Sequence, residues 1–248
     1  MDQIKRIINL FIPVTACNFQ CSYCYISHFE GRRKNALPNF HYSPYHMAKA
    51  LSKDRLGGPC YINVCGDGET LIPKEVPEIV HALLEQGHYV DLVTNGTLSG
   101  RIDHLLNVYP TFLSCLEFKL SFHYLELLRA GLLDNFFENV EKIRKSPASF
   151  IIEITPNDEL VPYIEEIIDL CQVRFGANCH ITIARNDADS DIGYLTNLPM
   201  DSYNQVWEQF NSDLFMFKRS IFGIPHMEYF YVGAWSLYLR ADSGETIK

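Results

Sequence analysis

The feature that most constrains the fold is an alternation of short apolar runs with amphipathic stretches along the 248 residues of the chain. Six runs have the length of strands and are rich in β-branched or aromatic residues. They cover residues 7–14, 61–65, 90–94, 116–121, 150–155 and 180–184. None alternates cleanly between apolar and polar residues, so the pattern predicts strands that are buried on both faces, as parallel strands are.

The stretches between these runs have helical spacing and end near glycine, proline or polar clusters. We expect helices over residues 46–56, 74–86, 101–108, 125–145, 159–175 and 201–210. Strand–helix units in series imply right-handed parallel crossovers, and a closed barrel of this type needs about eight of them. Six units therefore predict an α/β fold of the partial (β/α)6 TIM-like barrel type over residues 1–220. A short β-rich extension over residues 221–248 follows it.

Composition and charge narrow the classes of partner. The chain is 47% apolar, carries a net charge of −9 and has no apolar run near the roughly 18 residues that span a bilayer. We therefore expect a globular, cytoplasmic protein without a membrane partner. A negative chain without a basic stripe disfavours nucleic acid as a partner. The one basic cluster, Arg32, Arg33 and Lys34, is expected to lie on a solvated loop.

Three of the eight cysteines, Cys17, Cys21 and Cys24, form a C-x3-C-x2-C motif directly after the first predicted strand. Thiolates hold iron–sulfur clusters, and three of them leave one iron of a four-iron cluster open to another ligand. A zinc site with His28 as the fourth ligand is the alternative. The connection that begins at Cys17 is too long for a plain turn, which favours a functional loop.

The other five cysteines stand in or beside apolar runs. Their surroundings predict small buried side chains rather than ligands or disulfides. They are Cys60, Cys65, Cys115, Cys171 and Cys179.

The segment CNFQCSYCY resembles the signature of the radical S-adenosylmethionine (SAM) superfamily. The resemblance implies that Cys17, Cys21 and Cys24 hold a catalytic [4Fe-4S] cluster and that Tyr23 backs the SAM adenine. The later segment CGDGE is similar to the Gly-Gly-Glu element of that family. On this basis Glu69 is expected to bind the SAM ammonium group, while Gly66 and Gly68 allow a close backbone approach.

Further segments continue the resemblance in chain order. Thr94 and Asn95 begin a TNGT segment that resembles the family's turn near the SAM ribose, and Ser121 is a candidate for the SAM carboxylate or ribose. His123 and Arg185 follow later strands. Each has a structural alternative, but Arg185 is suited to clamp a carboxylate with two hydrogen bonds.

The resemblance implies reductive cleavage of SAM and hydrogen abstraction by a 5'-deoxyadenosyl radical from a peptide, protein or small-molecule substrate. An electron donor such as flavodoxin or ferredoxin is implied as well. The tail FYVGAWSLYLRADSGE resembles the start of a SPASM or twitch extension, but Phe230 stands where such extensions have their first cysteine. We therefore expect a single cluster. A glycyl-radical-enzyme activating enzyme and a non-catalytic iron–sulfur or zinc module are the alternatives.

Overall fold

The computed structural model describes residues 3–28, 35–186, 192–224 and 233–246. The basic cluster of Arg32, Arg33 and Lys34 lies outside these residues, as does Phe230. The expectations attached to those residues therefore stay predictions.

Seven strands form one parallel sheet, and two short strands form an antiparallel pair beside it. Along the chain, the strands are β1 (Ile7–Ile12), β2 (Tyr61–Gly66), β3 (Tyr89–Thr94), β4 (Leu116–Ser121), β5 (Ser149–Ile154), β6 (His180–Ile181), β7 (Arg185–Asn186), β8 (Gly193–Tyr194) and β9 (Ser236–Arg240). The order in the sheet is β6-β5-β4-β3-β2-β1-β9, so the first six strands follow chain order. The partial barrel expected from the sequence is confirmed.

Helices connect successive strands of this sheet. They are α1 (Pro44–Ala50), α2 (Lys53–Leu56), α3 (Val76–Glu85), α4 (Ser99–Leu106), α5 (Pro110–Leu113), α6 (Tyr124–Ala130), α7 (Leu133–Arg144), α8 (Ile164–Phe175), α9 (Met200–Trp207) and α10 (Asp213–Ile221). Short 3-10 helices cover Tyr25–His28, Asp158–Tyr163 and Glu208–Phe210. In the described part of the chain, no helix is long and apolar enough to cross a membrane.

The helix predicted over residues 125–145 is divided into α6 and α7. Gly131 adopts a left-handed conformation with φ of 65° and ends α6. Such a residue is a common helix terminator because glycine alone adopts this conformation without a steric penalty. The two helices keep the apolar stripe that the sequence shows, but they pack as separate segments.

The two faces of the sheet differ, which corrects the expectation of strands buried on both sides. Ile8, Ile62, Leu92 and Phe118 share one face, toward the helices, and are fully buried. A face that packs against helices excludes water because the helices present complementary apolar stripes.

The opposite face lines the barrel interior and carries polar side chains. Asn9, Asn63, Asp91 and Glu117 stand in one row across four neighbouring strands. Asn63 donates a hydrogen bond to Asn9 at 3.2 Å. In the next rows Lys119 pairs with Glu153 at 3.1 Å. Burial therefore alternates from residue to residue along the strands, with apolar side chains toward the helices and polar side chains toward the barrel interior.

The described end of the β-rich extension joins the main sheet. Strand β9 pairs in parallel with β1, and Leu239 also bridges Thr246 after the tight turn at Gly244. A parallel strand needs a long crossover from the strand before it, and α9 and α10 lie between β8 and β9 along the chain. Strand β9 thus covers the β1 edge of the sheet.

Candidate functional site

A cavity of about 320 Å³ lies at the carboxyl ends of the first four strands. Parallel α/β folds bind ligands at this edge because the connecting loops converge there. Most of the residues that the sequence singles out line it together: Cys17, Cys21, Tyr23, Cys24, Gly66, Gly68, Glu69, Thr94, Asn95, Ser121 and His123. Arg185 is the exception.

The three cysteines lie on the loop after β1. Cys21 is buried, and Cys17 and Cys24 are partly buried. The Phe19 amide donates to the Cys17 sulfur at 3.4 Å, and the Cys24 amide donates to the Cys21 carbonyl at 3.2 Å. Burial raises the pKa of the Cys21 thiol to about 12. A coordinated metal deprotonates a thiol outright, so metal binding would overcome this penalty.

The sulfurs of Cys17, Cys21 and Cys24 do not all lie as close together as the ligands of one zinc ion would. Ligands of one tetrahedral zinc at Zn–S distances of about 2.3 Å lie about 3.8 Å apart. Within the described residues, the set of three ligand side chains whose atoms all lie within 4.8 Å of one another does not include these cysteines. An iron–sulfur cluster binds each thiolate on a different iron, so it needs wider spacing. The side chain of His28 lies outside the described part.

Gly66 and Gly68 are required by packing between two segments of the chain. A Cβ atom on Gly68 would lie 2.1 Å from the Ala16 carbonyl oxygen, and one on Gly66 would lie 2.7 Å from Val14 Cγ1. The Gly68 amide also donates to the Val14 carbonyl at 2.7 Å. The close approach that the sequence predicts is therefore between the end of β2 and the segment leading into Cys17.

Glu69 is a buried carboxylate, 3% exposed, that holds the segment after β3 in place. One of its oxygens accepts from the Thr94 hydroxyl at 2.6 Å and from the Leu71 amide at 3.0 Å, and the other accepts from the Asn95 amide at 2.7 Å. Burial nevertheless raises the pKa of Glu69 above its ordinary value. Since a carboxylate has about four acceptor positions, one remains, and Glu69 lines the cavity.

A closed ring of hydrogen bonds joins the cysteine loop to the segment after β3. Asn95 donates to Asn18 at 2.8 Å, Asn18 donates to Thr97 at 2.9 Å, and Thr97 donates back to Asn95 at 2.7 Å. Asn18 is the residue between Cys17 and Phe19, so the ring fixes the loop of the cysteines directly against the turn. Neither Asn18 nor Thr97 was predicted as a site residue, although Asn18 follows the first cysteine of the motif and Thr97 ends the TNGT segment.

Helix α7 supports this turn from behind. Gly96 has a φ of 72°, and a Cβ atom there would meet the Phe136 ring at 2.8 Å. The Asn139 side chain donates to the Gly96 carbonyl at 2.9 Å. The glycine of the TNGT segment is therefore needed for both its conformation and its packing.

Tyr23 and His123 form one side of the cavity. The Tyr23 hydroxyl lies 2.8 Å from His123 Nδ1, and the Phe19 ring packs edge-on against the imidazole at 6.0 Å between centroids. Burial lowers the pKa of His123 to about 4. The imidazole is therefore neutral at physiological pH, which suits a group that orients Tyr23 rather than one that carries charge.

Arg185 lies in a second cavity, of about 600 Å³, that adjoins the first. The two cavities share Tyr23, Tyr25 and Thr155 as lining residues. The Arg185 guanidinium stands 6.0 Å from the centre of the Tyr25 ring, and Lys218 from α10 lines the same space. Lys218 hydrogen-bonds to Thr182, and it was not singled out by the sequence.

The remaining cysteines differ among themselves. Cys60, Cys171 and Cys179 are buried, as expected, whereas Cys65 and Cys115 are only partly buried. Cys65 lies near the carboxyl end of β2 and lines the first cavity. Burial raises the pKa of its thiol to about 11.

The fold and the cavity define an α/β barrel with a three-cysteine loop at the mouth. The sequence pattern of the radical SAM superfamily matches residues 11–171. The chain therefore belongs to the radical SAM superfamily, whose members are enzymes that use a [4Fe-4S] cluster and SAM. No curated protein matches the sequence significantly.

Solved structures with the same fold are radical SAM proteins at low identity. Streptococcus suis SuiB bound to S-adenosylmethionine has a TM-score of 0.64 at 13% identity, over 95% of this chain and 58% of SuiB. A histidine-tagged form of anSMEcpe with bound AdoMet has a TM-score of 0.59 at 16% identity, over 88% of this chain and 59% of that one. A mutant of spore photoproduct lyase has a TM-score of 0.57 at 11% identity, over 82% of this chain and 73% of that one. The chain thus spans under two thirds of the length of SuiB and of anSMEcpe.

Proposed function

We propose that this chain is a catalytically active radical SAM enzyme that abstracts hydrogen from a peptide, protein or small-molecule substrate. The observation that carries the proposal is the placement of Cys17, Cys21 and Cys24 on the wall of one cavity with Glu69 and Asn95. The cysteines would each bind one iron of a [4Fe-4S] cluster. When bound and reduced, the cluster supplies one electron to SAM, which yields methionine and a 5'-deoxyadenosyl radical.

The other residues of the cavity would bind and orient SAM. Glu69 keeps one acceptor position and lines the cavity, which suits the SAM ammonium group, and the turn at Thr94 and Asn95 lies where the ribose is expected. Ser121 would meet the carboxylate or the ribose, and Tyr23, held by His123, would back the adenine. Because the Asn18–Asn95–Thr97 ring is complete without a ligand, this side of the cavity is preorganised for binding.

The adjoining cavity is the proposed substrate site. It shares lining residues with the first, so a hydrogen atom to be abstracted can be brought near the SAM position. Apolar residues Ile183, Ile192 and Phe222 make up part of its wall, and Arg185 and Lys218 suit a carboxylate on the substrate.

A peptide or protein is the substrate class that the structural neighbours favour. SuiB has been crystallised with its precursor peptide SuiA, at a TM-score of 0.54 to this chain and 11% identity over 96% of this chain. Strand β9, on the β1 edge, leaves the β6 edge of the sheet without a neighbouring strand in the described part. We propose that the substrate reaches the cavity from this open side. Residues 221–248 remain a candidate start of a SPASM-like extension.

The test is product formation. Anaerobically reconstituted protein, reduced and incubated with SAM, should form 5'-deoxyadenosine detectable by chromatography. The Cys17→Ala, Cys21→Ala, Cys24→Ala triple variant should form none, while a Cys115→Ala control should keep wild-type formation. A cluster-loaded wild-type protein that never forms 5'-deoxyadenosine under strong reduction would instead identify a non-catalytic module.

A further inference from the structure

We propose that Glu78, His81 and His104 form a zinc site that joins α3 to α4. This site lies on the helical layer and does not depend on the proposed function. Within the described residues, these are the three ligand side chains whose coordinating atoms all lie within 4.8 Å of one another. None of these three residues belongs to the radical SAM motifs or lines the cavity that holds the cysteines.

The secondary structure places these side chains together. Glu78 and His81 are three residues apart on α3, so they lie on the same face of that helix. His104 comes from the last turn of α4. Its Nε2 lies 2.8 Å from a Glu78 oxygen, and its ring centre lies 5.4 Å from that of His81. Two successive helices, separated by β3, thus bring three ligand side chains close together.

A backbone contact fixes the tautomer of His81. His81 Nε2 lies 3.2 Å from the Leu105 carbonyl oxygen. A carbonyl oxygen can only accept, so this bond places the imidazole proton on Nε2 and leaves the Nδ1 lone pair available. A histidine whose second nitrogen donates to a carbonyl is the arrangement that metal-binding histidines use to fix their tautomer and ring orientation.

The donor set fits zinc. Two neutral imidazoles and one carboxylate are common zinc ligands, and a fourth position can be taken by water. Ligands at about 2.0–2.1 Å in a tetrahedron lie about 3.4 Å apart, so atoms already within 4.8 Å need only small side-chain rotations. His104 is 41% and Glu78 is 55% exposed, so an ion can reach the site from solvent. Without zinc, Glu78 and His104 pair with each other.

Zinc at this point would clamp two helices that directly follow the segments of the candidate SAM site. Helix α3 follows the Gly66–Glu69 segment, and α4 follows the turn of Thr94–Thr97. An ion that binds the folded chain alone stabilises it by mass action. The main expected effect is therefore a rise in the melting temperature, by about 5 °C or more when zinc exceeds its Kd a hundredfold.

The experiment is a calorimetric titration with ZnCl2, under anaerobic conditions, of cluster-loaded protein that carries no histidine tag. The variants are His81→Ala, His104→Ala and Glu78→Gln. Controls are Glu85→Gln, an exposed carboxylate on the same helix, and His46→Ala, an exposed histidine on α1. Circular dichroism checks that each variant is folded, and absorbance checks that the cluster stays loaded.

The site predicts one zinc per chain with micromolar or tighter affinity. Each histidine variant should bind about a hundredfold more weakly or worse, since loss of even an outer-shell partner costs about 10–100-fold. The controls should bind like the wild type. Absence of zinc binding by the wild type at millimolar concentration would overturn the proposal. Equal affinity in folded His81→Ala and His104→Ala proteins would also overturn it, because the zinc would then lie elsewhere.

Discussion

The two faces of the parallel sheet differ in polarity and in burial. The helix-facing side is apolar and fully buried at Ile8, Ile62 and Leu92. The interior side carries Asn63, Asp91 and other polar residues, and the cavity lies at its carboxyl edge. One side therefore supplies the free energy of folding, and the other supplies the polar surroundings of the site.

This difference explains why a buried charge can persist in the barrel. Asp91 is buried, and burial together with the nearby Glu117 raises its pKa to about 6. A group held this way costs stability, which the apolar face must offset. Buried groups with shifted pKa values are common near functional sites.

The largest expected effect separates the two faces by the same substitution. Ile62 is fully buried against the helices, whereas Ile151 is partly buried on the interior side. Ile62→Ala should lower the free energy of unfolding by about 2–5 kcal/mol, and Ile151→Ala by clearly less. Chemical denaturation of both variants measures this. Equal losses would mean that the interior side contributes as much packing as the helix-facing side.

The next effect is a pH dependence from Asp91. The pKa of Asp91 is about 6 in the folded chain and near 3.8 in the unfolded chain. Ionisation of Asp91 therefore lowers the free energy of unfolding, and this loss develops as the pH rises from about 4 to about 6. The cost is absent below about pH 4, grows as the pH rises, and is complete above about pH 6.5. Asp91→Asn should therefore stabilise the protein at pH 7.5 by up to about 3 kcal/mol, because one pKa unit is about 1.4 kcal/mol.

The measurement is denaturation at pH 4.5 and pH 7.5. The stabilising effect of Asp91→Asn should shrink markedly at the lower pH. The exposed Asp54 serves as the control, and Asp54→Asn should show no such change. A benefit of Asp91→Asn that is the same at both pH values would show that ionisation of Asp91 is not its cause.

A smaller effect concerns SAM binding at the carboxyl edge. Glu69→Gln removes the negative charge that would pair with the SAM ammonium group. The NH2 group of the glutamine would also face a backbone N–H that now donates to the carboxylate, and two donors cannot pair. SAM affinity should therefore fall about ten- to a hundredfold. The cluster should remain. Glu126→Gln changes another buried carboxylate that lies outside the cavity lining, and it should bind SAM like the wild type. Unchanged SAM affinity in Glu69→Gln would remove this residue from the proposed SAM site.

The smallest effect is expected in the adjoining cavity. Lys218→Met and Arg185→Met alter residues that line only the second space, so SAM affinity should stay within about twofold of the wild type. Uncoupled formation of 5'-deoxyadenosine should also be unchanged. A tenfold loss of SAM affinity in either variant would show that the two cavities act as one SAM site.

The sequence predicted the strands well where apolar runs are long. The observed β4 has the predicted bounds, and β2 and β3 differ from theirs by one residue. The C-x3-C-x2-C spacing in the sequence also identified the cysteine loop. These features are local, since run length and residue spacing determine them without reference to distant segments.

What the sequence could not give are contacts between distant segments. Strand β9 pairs with β1 across more than two hundred residues, and Asn18 reaches Asn95 across 77. Arg185 follows β6, which ends at Ile181, and it lines the neighbouring cavity rather than the first one. The polar row of the barrel interior was missed for the same reason, because it becomes visible only when Asn9, Asn63, Asp91 and Glu117 are aligned across four strands.

The most direct test of the central claim is the electron paramagnetic resonance spectrum of the reduced protein with and without SAM. We propose that Cys17, Cys21 and Cys24 leave one iron of the cluster open beside the cavity, so saturating SAM should change the spectrum of the cluster in the wild type. In Glu69→Gln the same change should require about ten- to a hundredfold more SAM. A reduced cluster whose spectrum stays the same at saturating SAM would contradict an open iron at this cavity.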